Sequence, residues 1–547
     1  MLLIFSILKT RRSRTCRSGL TRPKSPDRST PAGSAPREVA AVQEVVVLGS
    51  GVAGLTAALA AAEAGAAVHV IEQAGFFGGT TALSGGVAWM PNNHLMEPNG
   101  VEDSNDDALR YLREVVGGEA DFGLLEVFVQ EARSTALWVE ELTPLHWESL
   151  PYPDYFSERV GGRLGHRSVE PLGWPVPEDV ARQIRSAPNV ALPVAYGELL
   201  AGMPSREELE RRQERGILTM GRALVAGLFS AAVQRGVGFE VGRRIASLSD
   251  LPASSSVVLA TGGFERNRDL CVEHLGREIP GVTGAPGLRG DGLAIATEAG
   301  ADMGNMKEAW WCPSTVFPDE LIDGEQLFRL LLTERARPGS LMVDGGGKRF
   351  INESLNYNDA GRALVQMPEL RPDGAVAWLI FDSSYRRRYH LGTIRNNAPD
   401  PEWLVSASSL EEMELELGIP VGQLEETVVE FNRGVSRGID IRFQRGRSAY
   451  DRFVGDPTSS HPSLGKVGTP PFYALPVIPG CLGTKGGPLT DEDGRVLSRG
   501  VPVTGLYAVG NAAANPLGTA YPGAGGTIGP HLVFGRRAGY SAAKNGR

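Results

Sequence analysis

Four short apolar runs, each cut off by glycine or by an acid, stand out from a chain that is otherwise amphipathic. Val45-Val46-Val47-Leu48 enters the turn Gly49-Ser50-Gly51-Val52-Ala53-Gly54 and is followed by an alanine-rich stretch of helical composition. Ala67 to Ile71 ends on Glu72, Val257 to Ala260 ends on Thr261-Gly262-Gly263, and Gly505 to Val509 ends on Gly510-Asn511. Such runs predict strands. Asp291 to Gly300 predicts a helix after the third run, and Leu200 to Arg215, dense in Glu and Arg, predicts one solvated helix. After Trp310-Trp311 the pattern shifts to mixed strands and polar helices, and the earlier pattern returns near Pro471.

The first two runs carry chemistry. Strand, glycine turn and helix, with Glu72 about 20 residues beyond the glycines, form a dinucleotide fingerprint: the backbone of Gly49, Gly51, Val52, Ala53 and Gly54 approaches a pyrophosphate and Glu72 takes a ribose hydroxyl. NAD and FAD share this fingerprint. The next segment, Gly79-Thr80-Thr81-Ala82-Leu83-Ser84-Gly85-Gly86, favours FAD, because small residues and hydroxyls let a backbone pass close to a large flat ligand and donate to it. Thr261, Gly262, Gly510 and Asn511 add further turns, and Thr527 and Ile528 complete the expected cofactor set. The fold class is therefore α/β: a Rossmann-like FAD-binding domain in two parts, residues 44–308 and 468–547, with an inserted α+β substrate domain at residues 309–467.

Near the C-terminus, Gly518-Thr519-Ala520-Tyr521-Pro522-Gly523-Ala524-Gly525 brings a tyrosine hydroxyl and a glycine N–H close to the Gly510-Asn511 turn. Two such donors can hold an enolate oxygen, and donors aimed at charge that appears only in the transition state are often the largest catalytic contribution. Carbonyl chemistry beside a flavin is the implied reaction.

With these pieces in hand, the chain resembles the 3-ketosteroid Δ1-dehydrogenases, within the flavoprotein superfamily that also contains the fumarate reductases. The resemblance runs from Val45 to the C-terminus. It rests on Gly79 to Asn93, Tyr152-Pro153-Asp154-Tyr155-Phe156, Ala260 to Glu265, Arg349 to Tyr357, Gly483 to Gly487, and the Tyr521 segment. It implies that Tyr357 removes a proton from C2 of the steroid A ring, that Tyr155 assists it, that Tyr521 and the Gly525 N–H hold the C3 oxygen, and that hydride leaves C1 for the flavin. One departure is Asn356, where the family pattern has proline. Alternatives are dehydrogenation elsewhere in the ring, such as Δ4, of a 3-ketosteroid or another cyclic ketone, a fumarate-reductase-like ene-reductase, and a non-catalytic flavin-fold binding protein. The reductase needs cations and imidazoles, yet Lys485 is the one cation in the Gly483 and Tyr521 segments and no histidine lies in either.

Composition adds boundaries. The 547 residues, 42% hydrophobic with 69 glycines, can bury a large core. Cys16, Cys271, Cys312 and Cys481 are too scattered for a metal or disulfide pattern, and no Cys or His sits in a flavin-attachment context, so FAD is expected to be held non-covalently. A single dinucleotide fingerprint implies a quinone-like or other electron acceptor in place of NAD. A net charge of −9 without a basic patch excludes nucleic acid, and no apolar stretch approaches the ~18 residues of a membrane helix. The exception is residues 1–43, with nine Lys or Arg against Asp27 and Glu38. They read as a disordered basic tail or an upstream mis-assigned start, with targeting or weak attraction to anionic lipid as a further reading. A cytoplasmic protein, with peripheral membrane association as the alternative, is the expectation. Trp89, Met90, Trp310, Trp311 and Phe317 are candidates for an apolar pocket lining, though core packing is their simplest reading.

Overall fold

Parallel strands buried on both faces read as unbroken apolar runs, and the four runs become neighbours in one six-stranded sheet. The computed structural model describes residues 43–117, 120–253 and 255–544, so the reading of residues 1–43 as a tail lies outside the described residues except at Gln43. Strand β1 (Glu44–Leu48) pairs in parallel with β2 (Ala67–Glu72) and, on its other side, with β4 (Ser256–Leu259), so that Val47 stands opposite both Val70 and Val258. β3 (Gly238–Val241) extends the β2 edge in parallel. β11 (Val501–Ala508) extends the β4 edge in parallel, and β10 (Arg495–Ser498) closes it antiparallel. Helix α1 (Val52–Glu63) has small side chains that let it lie between this sheet and the last helix, α4 (Ile528–Lys544).

The main path of a second, seven-stranded sheet is built from β5 (Ala309–Ile322), β6 (Glu325–Leu330), β7 (Ser340–Val343), β8 (Ala377–Asp382) and β9 (Phe472–Thr484), ordered β6-β5-β9-β8-β7 with antiparallel pairing along that path. β9, which the sequence reading puts in the returning FAD-binding segment, is the central strand of this sheet. Its buried run of Leu475, Val477 and Ile478 carries no mark of which sheet it joins. Asp291–Glu298 is helical as expected. The single helix expected over Leu200 to Arg215 is instead two, Tyr196–Ala201 and Arg206–Glu214. Gly202 at φ +145° ends the first, Pro204 follows, and Ser205 Oγ caps the second by accepting from Glu208 N.

Helix α3 (Tyr357–Leu364) is anchored by the segment before it. Arg349 forks onto Glu353 at 2.7 Å and onto Asp440 at 2.9 Å, and Arg445 Nη1 adds a 3.2 Å contact to Glu353. All four side chains are buried. Asn356, the departure from the family pattern, has φ −53°, close to the angle a proline would impose, and its side chain caps α3 by accepting from Asp359 N at 3.0 Å. Asparagine thus keeps the backbone course and adds a cap.

Removing one partner of a buried ion pair strands the other's charge, which costs about 3–5 kcal/mol. Arg349→Met should lower stability by that order in chemical denaturation, and an unchanged unfolding midpoint would show that the network does not anchor α3.

Candidate active site

Two clefts meet at Thr80. The first, at the carboxyl ends of β1, β2 and β4, is lined by Gly49, Gly51, Val52, Ala53, Glu72, Gly79, Thr80, Thr81, Thr261, Gly262, Gly510 and Asn511. Gly54 stands behind them: a Cβ there would fall 2.1 Å from the Gly49 carbonyl oxygen, so it sets the closeness of turn and helix. Gly49 itself has φ +106°, and a Cβ would lie 2.3 Å from the Ala260 carbonyl. Glu72 is 7% exposed; its carboxylate accepts from Ser50 Oγ at 2.6 Å, Ser50 N at 3.1 Å and Ala74 N at 3.0 Å. Thr81 Oγ1 accepts from Val52 N, the first amide of α1, at 3.1 Å.

The second cleft, of about 250 Å³, is lined by Thr80, Ser84, Gly85, Gly86, Tyr155, Tyr357, Tyr521, Gly525, Thr527 and Ile528. Three tyrosines from three distant segments converge there. Ring centroids lie 5.8 Å apart for Tyr155 and Tyr357, 5.4 Å for Tyr155 and Tyr521, and 5.0 Å for Tyr357 and Tyr521. Behind them stand Tyr450, 4.9 Å from Tyr155, and Tyr152, 6.3 Å from it. Burial pushes the hydroxyls of Tyr152, Tyr155 and Tyr357 well above the ordinary tyrosine value. Burial also raises Tyr521, against hydrogen bonds from Tyr357 and Thr527 that favour its ionised form.

Hydrogen bonds to main-chain carbonyls tie the Tyr521 segment to the Tyr155 segment and to the strands beside it. Tyr155 N donates to Pro522 O at 3.0 Å, Trp89 N donates to Gly525 O at 3.0 Å, and Ser168 Oγ donates to Ala524 O at 2.8 Å. Gly525 has φ +87° and a Cβ there would meet Val87 O at 2.5 Å. Its own N–H donates to no protein acceptor among the described residues. Beneath Tyr155, Asp154 receives the Trp89 indole at 2.8 Å and Arg167 at 2.7 Å, all three being buried. Of the apolar candidates, Phe317 lines the second cleft, whereas Trp89, Met90, Trp310 and Trp311 pack in the core.

The sequence pattern of the FAD binding domain family matches residues 44–528. A 4-oxocyclohexanecarboxylate 2-dehydrogenase of Sinomonas cyclohexanicum is 38% identical, over 91% of this chain and 92% of its own. A 3-oxosteroid 1-dehydrogenase of Mycobacterium tuberculosis is 35% identical, over 90% of this chain and 96% of its own. The crystal structure of the 3-ketosteroid Δ1-dehydrogenase of Sterolibacterium denitrificans, in complex with 1,4-androstadiene-3,17-dione, matches with a TM-score of 0.83 at 30% identity, covering 91% of this chain and 99% of that one. The chain belongs to this family of FAD-dependent dehydrogenases.

FAD suits the first cleft by a further observation. Arg185 Nε, Glu265 Oε1 and His531 Nε2 are buried in residues that line it and have no protein partner. Burial pulls His531 down to about 4, which keeps the imidazole neutral, and pushes Glu265 up to about 7. A dinucleotide rich in hydroxyls and phosphate oxygens supplies the missing partners. None of the three was singled out from sequence as a cofactor residue: Arg185 reaches the cleft only through long-range folding, while Glu265 and His531 lie three residues beyond Gly262 and Ile528 of the expected set. The N-terminus of α1 favours the diphosphate.

A hydrogen bond to a charged group contributes about 1.5–3 kcal/mol. Glu72→Ala should therefore weaken FAD retention roughly 10- to 100-fold, read by the fluorescence of flavin released intact on dilution. Retention equal to wild type would remove Glu72 from the FAD contacts.

Proposed function

We propose that this FAD-dependent dehydrogenase introduces the C1–C2 double bond into the A ring of 3-ketosteroids. The observation that carries the reading is the convergence of Tyr155, Tyr357, Tyr521 and the unpaired Gly525 N–H on one cleft that opens into the FAD site at Thr80. Tyr521 and Gly525 hold the C3 oxygen and stabilise it as negative charge develops. Tyr357 then takes the proton from C2, and Tyr155 shares it. FAD, when bound, accepts the hydride that leaves C1. A phenol with an ordinary pKa near 10 is a weak base at neutral pH, so the pocket has to favour the enolate and the phenolate together. With one dinucleotide cleft, taken by FAD, electrons pass to a quinone-like acceptor.

The carboxylate-bearing cyclohexanone of the Sinomonas relative is the second reading, favoured by its identity to this chain. The cleft's walls argue for a neutral substrate. Val190, Leu199, Met220, Phe317 and Phe328 extend it beyond the tyrosines, a surface that suits rings other than the reacting one. Its one lining cation, Arg329, is engaged by Glu320, with Nη2 at 2.8 Å and Nε also bonded. A carboxylate buried there would lose its hydration and find no free cation. The same deficit, and the absence of any histidine among the lining residues, counts against a fumarate-reductase-like site.

Loss of one oxyanion donor costs about 10²–10³ in rate, and loss of a positioned base about 10²–10⁴. Tyr521→Phe and Tyr357→Phe should slow steroid-dependent flavin reduction by these factors, and both should slow deuterium exchange at C2, because enolate formation needs the oxyanion donor as well as the base. Near wild-type exchange in Tyr357→Phe would put the base elsewhere. In a side-by-side assay with a dye acceptor, a 3-ketosteroid should be turned over at least about tenfold better in kcat/KM than 4-oxocyclohexanecarboxylate, since a discrimination of 1.4 kcal/mol already gives that ratio. The reverse order would favour the keto acid.

A further inference from the structure

Seven cationic side chains are buried: Arg167, Arg185, Arg335, Arg349, Arg386, Arg445 and Lys485. Five of them pair with carboxylates. Arg335 and Lys485 form no ion pair among the described residues, the costly state for a charge removed from water. Both are held by main-chain carbonyls instead, and both sets of carbonyls lead to the tyrosine pocket.

Arg335 donates from Nε to Leu331 O at 2.8 Å and from Nη1 to Leu355 O at 2.7 Å and to Glu353 O. Leu355 lies two residues before Tyr357. Burial draws Arg335 down, while Tyr450, Tyr152, Glu334 and Tyr155 favour its charge. Lys485 donates from Nζ to Gly518 O at 2.9 Å and to Ala520 O at 2.8 Å, the latter adjacent to Tyr521. Its ammonium sits 4.0 Å from the centroid of the Trp310 ring, and that ring meets Tyr521 edge-on at 5.0 Å. Trp310 Nε1 in turn donates to Asn511 of the flavin turn at 3.0 Å. Burial draws Lys485 down to about 7, with Glu308 and Asp359 favouring its charge and Arg362 opposing it. Glu308 is itself bound by Arg362.

We propose that Arg335 and Lys485 are positioning residues for the tyrosine pocket: each fixes the segment that presents one tyrosine, and together they supply the positive field that stabilises negative charge at the Tyr521–Gly525 site. This inference rests on the reading of that site as the holder of an enolate oxygen. Two buried cations without ion-pair partners act over several ångströms, because the medium between them and the developing anion is protein. An anion in the pocket also strengthens the hold of Lys485 on its proton. The unfavourable burial of the two charges is thereby offset further when the negative charge is present.

The test uses a fluorinated phenol as a stand-in for the enolate, bound to the oxidised, FAD-loaded protein, with its ionisation read by fluorine NMR. Tyr521→Phe should weaken binding of the probe, which locates it. In the wild type the bound phenol should ionise at lower pH than free phenol. Arg335→Met and Lys485→Met should each raise that apparent pKa by about one unit, a tenfold change in ionisation, while the flavin spectrum stays as in wild type. Arg335→Lys and Lys485→Arg keep the charge and should fall closer to wild type. Met variants that leave the ionisation unchanged, or charge-keeping variants as impaired as the Met variants, overturn the proposal. If the Met variants do not fold, a wild-type phenol ionising no more readily than the free one overturns it on its own. A phenol that fails to bind at all sinks the oxyanion reading beneath it, an outcome distinct from binding with unshifted ionisation.

Discussion

The pocket depends on holding three stretches of chain, around Tyr155, Tyr357 and Tyr521, within a ring's width of one another although they are hundreds of residues apart. Apolar packing is not directional and cannot by itself fix rings to that tolerance. Directed polar bonds in a dry interior can. Each tyrosine is accordingly backed by a buried polar group: the Arg167–Asp154 pair beneath Tyr155, the Arg349–Glu353–Asp440 fork and Arg335 before Tyr357, and Lys485 behind Tyr521. The bond from Tyr155 N to Pro522 O joins the first segment to the third, and Asn358 Nδ2, next to Tyr357, reaches Thr519 O at 3.4 Å to join the second.

What sequence could disclose follows from range. The Gly49 to Gly54 turn, Glu72 and the alanine-rich helix lie within a few dozen residues, and their geometry follows from local rules. Tyr521 and Gly525 are four residues apart and could be read as a pair. Glu265 and His531 were signalled by their nearness to Gly262 and Ile528, whereas Arg185 was not, since a single Arg far from the other cofactor segments carries no spacing that announces a cleft. The same holds for β9, whose apolar run looks alike in either sheet. The break in the helix after Ala201 is signalled by Gly202 and Pro204, but the density of Glu and Arg that follows it masks the signal. Asn356 shows the converse: a departure in residue type that keeps the backbone angle the position requires.

β9 ties the second sheet to the cofactor cleft. It runs the length of the second sheet, ends at Thr484 against Glu265 beside the FAD cleft, and hands over directly to Lys485. Cofactor cleft and tyrosine pocket are therefore joined through covalent backbone as well as packing.

The walls of the pocket are built differently from its chemistry. Leu199 sits on a short helix ended by Gly202, and Phe317 and Phe328 lie on opposite strands of the β5–β6 hairpin, where Phe328 pairs with Val316. None of the buried polar groups that brace the tyrosines is mounted on these pieces. Wall and tyrosine braces are consequently carried by separate pieces of chain. The wall can be reshaped on the short helix and the outer half of the hairpin without touching the buried polar groups that hold the three tyrosines.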